Sequence, residues 1–405
     1  MNTSILNSTV HHSNAGSTQN HRRIIFFSAR YLPLVGGVEN YTYNLSTQLV
    51  ASGIQVDIVT CNLSGEPDVV SQENGVRVWR LPAYALMNAR LPLNKLNRKT
   101  KKLLGQLKKS ILSSDDCFVV VNTRFYPHSI LGTHFARSIA VQSLVLEHGS
   151  QYLTLGSTLL DCAIKLYEHG MNALTKLYKP LYAGVSLKAC QWLKTFGIQT
   201  QLLVPNAIDT QEFRNLASSR DFREEHNLKA ETPLIAFVGR LCPEKGALVL
   251  ARAAKELPWV QFFFAGEGPL STEIEALKLP NLKLLGNLSK QDVSKLLCQS
   301  DYFCLPTRSE GFCTSLLEAL AQKCIPIIPD VGGVKELIDA RIGVIISEEA
   351  RKDPQALAQT IIKALSHKED QDKLQSIIHE KLSSYTWEAS ADALLAILDA
   401  HTSHK

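Results

Sequence analysis

The sequence predicts two doubly wound α/β domains facing each other, each a parallel sheet covered by helices on both sides. Three observations predict this. The chain has 405 residues, and single cores stop growing at roughly 250–300 residues, so two domains are expected. From residue 24 onward, short Val-, Ile- and Phe-rich runs alternate with amphipathic stretches, the pattern of right-handed βαβ units. The runs are continuous rather than alternating in polarity, as strands buried on both faces require.

Residues 1–22 are rich in Asn, Ser, Thr and His and lack an apolar core, so they read as a disordered tail and not as a secretory signal. Strands of the first half are expected at 24–28, 56–60, 76–81, 117–122, 144–148 and 181–185, with a helix at 40–52. The second half offers strands at 234–239, 261–265, 282–285, 302–305, 325–328 and 343–346, with helices at 290–299 and 353–365. The seam falls between Val204-Pro205-Asn206 and the polar stretch 215–232. A first domain at 23–205, a second at 206–384 and a terminal helix at 385–405 follow. No low-complexity linker separates the halves, so the two lobes are expected to touch. Ligands of open α/β sheets bind beyond the carboxyl ends of the strands, which places a site in the cleft between them.

Composition narrows the function. A formal net charge of +5 is too small to point to nucleic acid. No apolar run reaches the roughly 18–20 residues needed to cross a bilayer. Nine cysteines without C-x-x-C spacing fit a reducing compartment, so a cytoplasmic location is expected. Residues 95–112 interleave lysines and arginine with leucines. Such a helix fits the surface of an anionic membrane, and it equally fits a surface helix with its leucines turned inward.

Three motifs carry chemistry. In Ser309-Glu310-Gly311-Phe312-Cys313-Thr314-Ser315, a loop after a strand opens a helix, and Glu318 lies just over a turn inside that helix. Free amides and the dipole of a helix start suit a phosphate. Two carboxylates eight residues apart are poorly placed as a glycosidase acid–base pair. They better suit separate hydroxyl groups of one extended ligand, although a solvated loop Glu and a dipole-favoured helix Glu give the same pattern. In the second motif, Gly239-Arg240-Leu241-Cys242-Pro243-Glu244-Lys245-Gly246, Arg240 and Lys245 flank a tight turn and suit a diphosphate, while a surface ion pair to Glu244 is the alternative. The third places Gly36 and Gly37 between the first strand and first helix, suited either to a phosphate or to a strained turn. His148 ends a strand before Gly149.

These motifs resemble the family-4 retaining glycosyltransferases of the GT-B fold, the group 1 glycosyl transferases. Glu310 to Glu318 matches their E-x7-E motif with its E-G-F and L-E-A segments, and residues 239–246 match their diphosphate-binding turn. The resemblance also takes in the G-G-x-E loop at Gly36, Val204-Pro205-Asn206-Ala207-Ile208-Asp209 and Tyr385-Thr386-Trp387-Glu388. It implies Glu310 on the donor sugar and Glu318 on the ribose, with Gly311, Phe312, Cys313, Thr314 and Ser315 around the phosphates. Arg240 and Lys245 neutralise the leaving group, and His148 contacts the sugar or the acceptor region. The implied partners are a nucleotide-sugar donor, with UDP favoured, and a glycan or lipid-linked acceptor, with the first lobe on the acceptor side. Lys323 departs from the family, which often has Gly there. Gly332-Gly333 is read as a turn. No essential metal or other cofactor is expected: the Asp370-Gln371-Asp372 triplet sits in a charged helical stretch, and the turn at Gly266 and Gly268 lacks the third glycine of a dinucleotide fingerprint. A nucleotide-sugar epimerase and a non-catalytic binder are the rival readings.

Overall fold

The computed structural model describes residues 22–402 apart from 35, 64, 66–69, 87–90, 112–115, 155–157, 340 and 367–370. The expected tail at 1–21 therefore lies outside the described residues, as do Val35, Leu112 and Asp370. Arg22, assigned to the tail from sequence, is instead the first residue of a strand, held by an ion pair to Asp116 at 3.2 Å.

The first lobe contains β1 (Arg22–Ser28), β2 (Gln55–Asn62), β3 (Val70–Glu73), β4 (Val76–Leu86), β5 (Leu91–Asn94), β6 (Asp116–Asn122), β7 (Ser143–Glu147) and β8 (Leu181–Gly184). Their order is β3-β4-β2-β1-β6-β7-β8, with β5 also on β4. The second lobe contains β9 (Leu234–Val238), β10 (Gln261–Ala265), β11 (Leu282–Gly286), β12 (Tyr302–Cys304), β13 (Ile325–Pro329) and β14 (Val344–Ile346), in the order β11-β10-β9-β12-β13-β14. Setting aside β3 and β5, both sheets are parallel and share the doubly wound Rossmann order, in which the direction of winding reverses beside the first strand.

Strand β1 shows why the apolar runs are continuous. Ile24 and Phe26 join one core and Ile25 and Phe27 the other, because successive side chains leave a strand on opposite faces. Burying each such side chain contributes roughly 1.5–3 kcal/mol. Every strand expected from sequence is present. The two that were not expected, β3 and β5, pair antiparallel with β4. They carry no buried run for a pattern to detect.

The chain leaves the first sheet through a bridge between Gly184 and Leu203. The connection is then clamped by the C-terminal segment: Ile208 donates to the Tyr385 carbonyl at 2.9 Å and Ser390 to that of Pro205 at 2.7 Å. The helix Trp387–Thr402 packs back on the first-lobe helix Gly37–Ala51, where Tyr41 and Trp387 meet edge to face at 5.7 Å. The carboxyl ends of β9, β10 and β12 in one lobe and of β6 and β7 in the other converge on the interlobe cleft.

The helix Arg98–Lys109 has its leucines inward and its basic side chains outward, an arrangement that both alternatives read from the sequence allow. Leu103 and Leu107 are buried against the first lobe, while Arg98, Lys99, Lys101, Lys102, Lys108 and Lys109 face solvent.

Candidate active site

In the second lobe, the turns after β9, β10 and β12 are pressed backbone to backbone. A Cβ at Gly266 would come within 2.1 Å of the Gly239 carbonyl oxygen, one at Gly268 within 2.3 Å of that of Leu241, and one at Gly246 within 2.3 Å of that of Pro306. This packing positions Lys245. Its ammonium donates to the Glu310 carboxylate at 2.6 Å, both groups being largely shielded from water. Burial opposes the charge on Lys245, but the surrounding groups, Glu310 foremost, together outweigh it and the pKa is raised. Arg240, on the same turn, is exposed.

Glu310 leads into the helix Thr314–Ala321, which starts without a side-chain cap and without an acidic residue in its first turn. Cys313 sits at the cap position with φ 65°, a left-handed conformation that glycine adopts most easily. Its thiol is buried, and burial pushes the pKa up to about 12, so it stays protonated. Phe312 turns away from the cleft, packing on Tyr385 with ring centroids 5.5 Å apart and lying over Gly333. Its side chain braces the loop, which leaves the backbone as its means of meeting a ligand. Gly332, at φ 51°, backs the loop against the Glu310 and Gly311 carbonyls. The turn read from sequence at 332–333 is thus a support for Glu310. Glu318 is half-buried farther along the helix, and burial raises its pKa to about 7.

The first lobe closes against this loop. A Cβ on Gly311 would fall 1.7 Å from the His148 carbonyl oxygen. Ser150 donates to the Glu310 carbonyl at 2.6 Å and Ser186 to that of Gly311 at 2.8 Å. Lys188 pairs with Asp330 at 2.9 Å.

The second lobe therefore gathers a cation, a carboxylate and an uncapped helix start, and the first lobe sets a histidine against them. Residues 218–380 match the family model described as Glycosyl transferases group 1, and residues 36–181 match the Glycosyl transferase 4-like domain. The chain belongs to the group 1 glycosyl transferases.

This glycosyltransferase is 24% identical over 385 residues to the GPI3 subunit of phosphatidylinositol N-acetylglucosaminyltransferase from Saccharomyces cerevisiae, covering 88% of this chain and 78% of that one. Its fold matches sucrose-phosphate synthase from Thermosynechococcus elongatus with a TM-score of 0.71 at 18% identity, over 95% and 100% of the two chains. HepE of Anabaena, solved in complex with UDP-glucose, matches with a TM-score of 0.66 at 15% identity, over 93% and 99%. The two facing sheets are the GT-B fold.

His148 is held in one tautomer. The Thr42 hydroxyl donates to the Val38 carbonyl at 2.7 Å, so its oxygen accepts from Asn122 Nδ2 at 2.8 Å. Asn122 Oδ1 then faces His148 Nε2 at 3.0 Å, and that nitrogen carries the proton. Burial lowers the ring's pKa to about 3, so the imidazole is neutral and Nδ1 keeps its lone pair. Behind it, Arg124 joins Glu147 and Glu168, each at 2.8 Å, and Glu147 accepts from the Gly149 amide at 2.8 Å. Glu147 is thus a buried support of the loop.

Gly36 and Gly37 stand at the start of the helix Gly37–Ala51. A Cβ at Gly36 would meet the Glu39 carboxylate at 2.4 Å, so this glycine makes room for a buried acid that pairs with Arg30 at 3.0 Å. The described contacts of this loop stay within the first lobe. Lys323 adopts φ 63°, a left-handed conformation that glycine adopts most easily. Asn122, Ser186 and Arg124 escaped the sequence reading because single polar residues at or just after strand ends carry no spacing signal.

Proposed function

We propose that this protein is a retaining, metal-independent hexosyltransferase that moves a sugar from a nucleoside-diphosphate donor, UDP-sugar favoured, to a glycan or lipid-linked acceptor. The observation that carries the reading is the Lys245–Glu310 pair beside the uncapped start of the helix Thr314–Ala321. Lys245, Arg240 and the amides of Thr314 and Ser315 stabilise the departing diphosphate. Glu310 takes the sugar hydroxyls and Glu318 the ribose. The glycosidic bond to phosphate breaks, the acceptor oxygen bonds the anomeric carbon on the same face, and the leaving phosphate takes the acceptor proton. His148 accepts a hydrogen bond from a substrate hydroxyl at Nδ1. HepE's complex with UDP-glucose supports the donor class, and the phosphatidylinositol acceptor in the yeast relative's name supports a lipid-linked one. Against an epimerase, the acid beside His148, Glu147, is already tied to Arg124 and Gly149.

Thermal stabilisation by UDP, GDP, ADP and their sugars, with and without EDTA, tests the donor site. A selective shift that survives EDTA is expected; no shift with any nucleotide, or one abolished by EDTA, counts against the reading. Binding without turnover would leave a non-catalytic homologue.

The Glu318 pKa of about 7 gives a pH dependence. Gripping ribose hydroxyls needs the carboxylate, so donor affinity is expected to rise about tenfold between about pH 6 and pH 8. Titration calorimetry should show that slope in the native protein and lose it in Glu318→Gln. The sign for folding is opposite: because the folded pKa lies above the usual 4.5, this group's contribution to stability falls as pH rises from about 4.5 to about 7.

We also infer a cytoplasmic site of action with peripheral membrane contact through the 95–112 region. No described helix is long and apolar enough to cross a membrane. Contact would be made by the solvent-facing lysines together with Leu96, which is 76% exposed. Co-sedimentation with anionic vesicles, lost on replacing Lys99, Lys101, Lys102 and Lys108 by Glu, is the expected result; no co-sedimentation of the native protein excludes it.

A further inference from the structure

The helix Thr158–Lys176 is turned inside out. Its buried face is polar: Glu168, Asn172 and Thr175 are at most 3% exposed. The reason is Arg124, a buried guanidinium whose several donors engage Glu168 as well as Glu147. With the polar face committed to that task, the apolar face is left in solvent. Leu159 is 81% exposed, Leu166 77%, Leu177 67%, and Leu160 and Leu174 49% each. Monomeric proteins rarely leave so large a continuous apolar stripe uncovered.

The stripe has a period. Leu159, Ala163, Leu166, Gly170, Ala173 and Leu177 follow each other at spacings of four and three in alternation, and all are exposed. That is the seam of two helices packed side by side, here about 28 Å long at 1.5 Å per residue. The seam also complements itself when a second helix runs antiparallel across a twofold axis near Glu168. Leu159 then meets Leu177 of the other copy, Ala163 meets Ala173, and the Leu166 knob meets the space above Gly170. Lys165 and Lys176 fall opposite Met171 and Leu160, so like charges do not oppose each other. A membrane-lying helix keeps a cationic polar face flanking its apolar one; the polar face of this helix is buried in the protein.

We propose that this seam is a twofold contact through which two copies of the chain pair by antiparallel packing of the helix Thr158–Lys176. The contact is isologous, each surface meeting itself. It lies on the far side of the Arg124 network from His148, so pairing stiffens the support of the acceptor side. The proposal does not depend on the donor assignment.

Sedimentation equilibrium of the full-length chain over a range of concentrations tests it. The native chain is expected to form a dimer. Leu166→Glu and, separately, Gly170→Leu are each expected to weaken the dimer about a hundredfold or more, because each change is made twice across the axis. Melting temperature in the monomer is not expected to fall, since both positions face solvent and replacing a helix-interior glycine favours the helix. The combination Leu166→Ala with Gly170→Leu exchanges knob and hole and is expected to restore pairing. A native chain that stays monomeric at its solubility limit overturns the proposal, as does a dimer indifferent to Leu166→Glu. A monomer that binds phosphatidylglycerol vesicles through Leu166 overturns it as well, by naming a lipid surface as the occupant.

Discussion

Lys245→Ala is expected to lower kcat by about 10²–10³-fold, the range seen when one preorganised donor to developing charge is removed. It is also expected to weaken nucleoside-diphosphate binding. Without the ammonium, Glu310 stands with an uncompensated negative charge beside the phosphates. Glu310→Ala should lose turnover to a similar degree but differ in binding: Lys245 is released from its 2.6 Å partner and becomes fully available to the diphosphate. UDP should therefore bind Glu310→Ala at least as tightly as it binds the native protein. Steady-state kinetics combined with calorimetry separates the two variants, and the double variant should lose less than the product of the single losses because the groups act as a unit. Native rates in both variants, with folding intact by circular dichroism, would sink the assignment.

Gly311→Ala is the second large effect. The added methyl would sit 1.7 Å from the His148 carbonyl oxygen, and backbone cannot swing aside as a side chain does. Gly311 is not in the left-handed region, so the glycine is required for space and not for conformation. The lobes must separate to admit the methyl, breaking the Ser150 and Ser186 hydrogen bonds that tie them together. Turnover is expected to fall about a hundredfold or more, because displacements of about 1 Å from reactive geometry cost that much. The thermal shift given by the nucleotide should persist, since its binding groups lie in the second lobe. An unchanged kcat/KM would mean that the closed contact is not the reacting arrangement.

Much of the site was legible from local pattern. Glu310, Glu318, Arg240 and Lys245 sit at spacings that mark turns and helix starts after strands, and a turn or a helix start is a local event with a local signature. The glycines at 246, 266 and 268 belong to the same class, because each leaves room for a backbone that approaches closely. Cys313 and Lys323 show the limit of that reasoning: both occupy left-handed backbone without being glycine, so the conformation outlives the residue that usually signals it. Phe312 shows another limit. Its place in the motif was clear, but the side chain packs on Tyr385, from a segment more than seventy residues away.

The sequence by itself determined the fold class, the two sheets, most strand positions and the motifs of the candidate site, since these follow from hydrophobic period, loop chemistry and short-range spacing. Only the tertiary structure decided which groups meet. It paired Lys245 with Glu310, set Gly311 against His148 and locked the His148 tautomer through Asn122 and Thr42. It also decided the facing of two amphipathic helices. Arg98–Lys109 turns its leucines inward, as its pattern allows, while Thr158–Lys176 turns them outward because the buried Arg124 claims its polar face. Periodicity states that a helix has two unlike faces. Which of them is buried depends on the charges the rest of the chain brings beneath it.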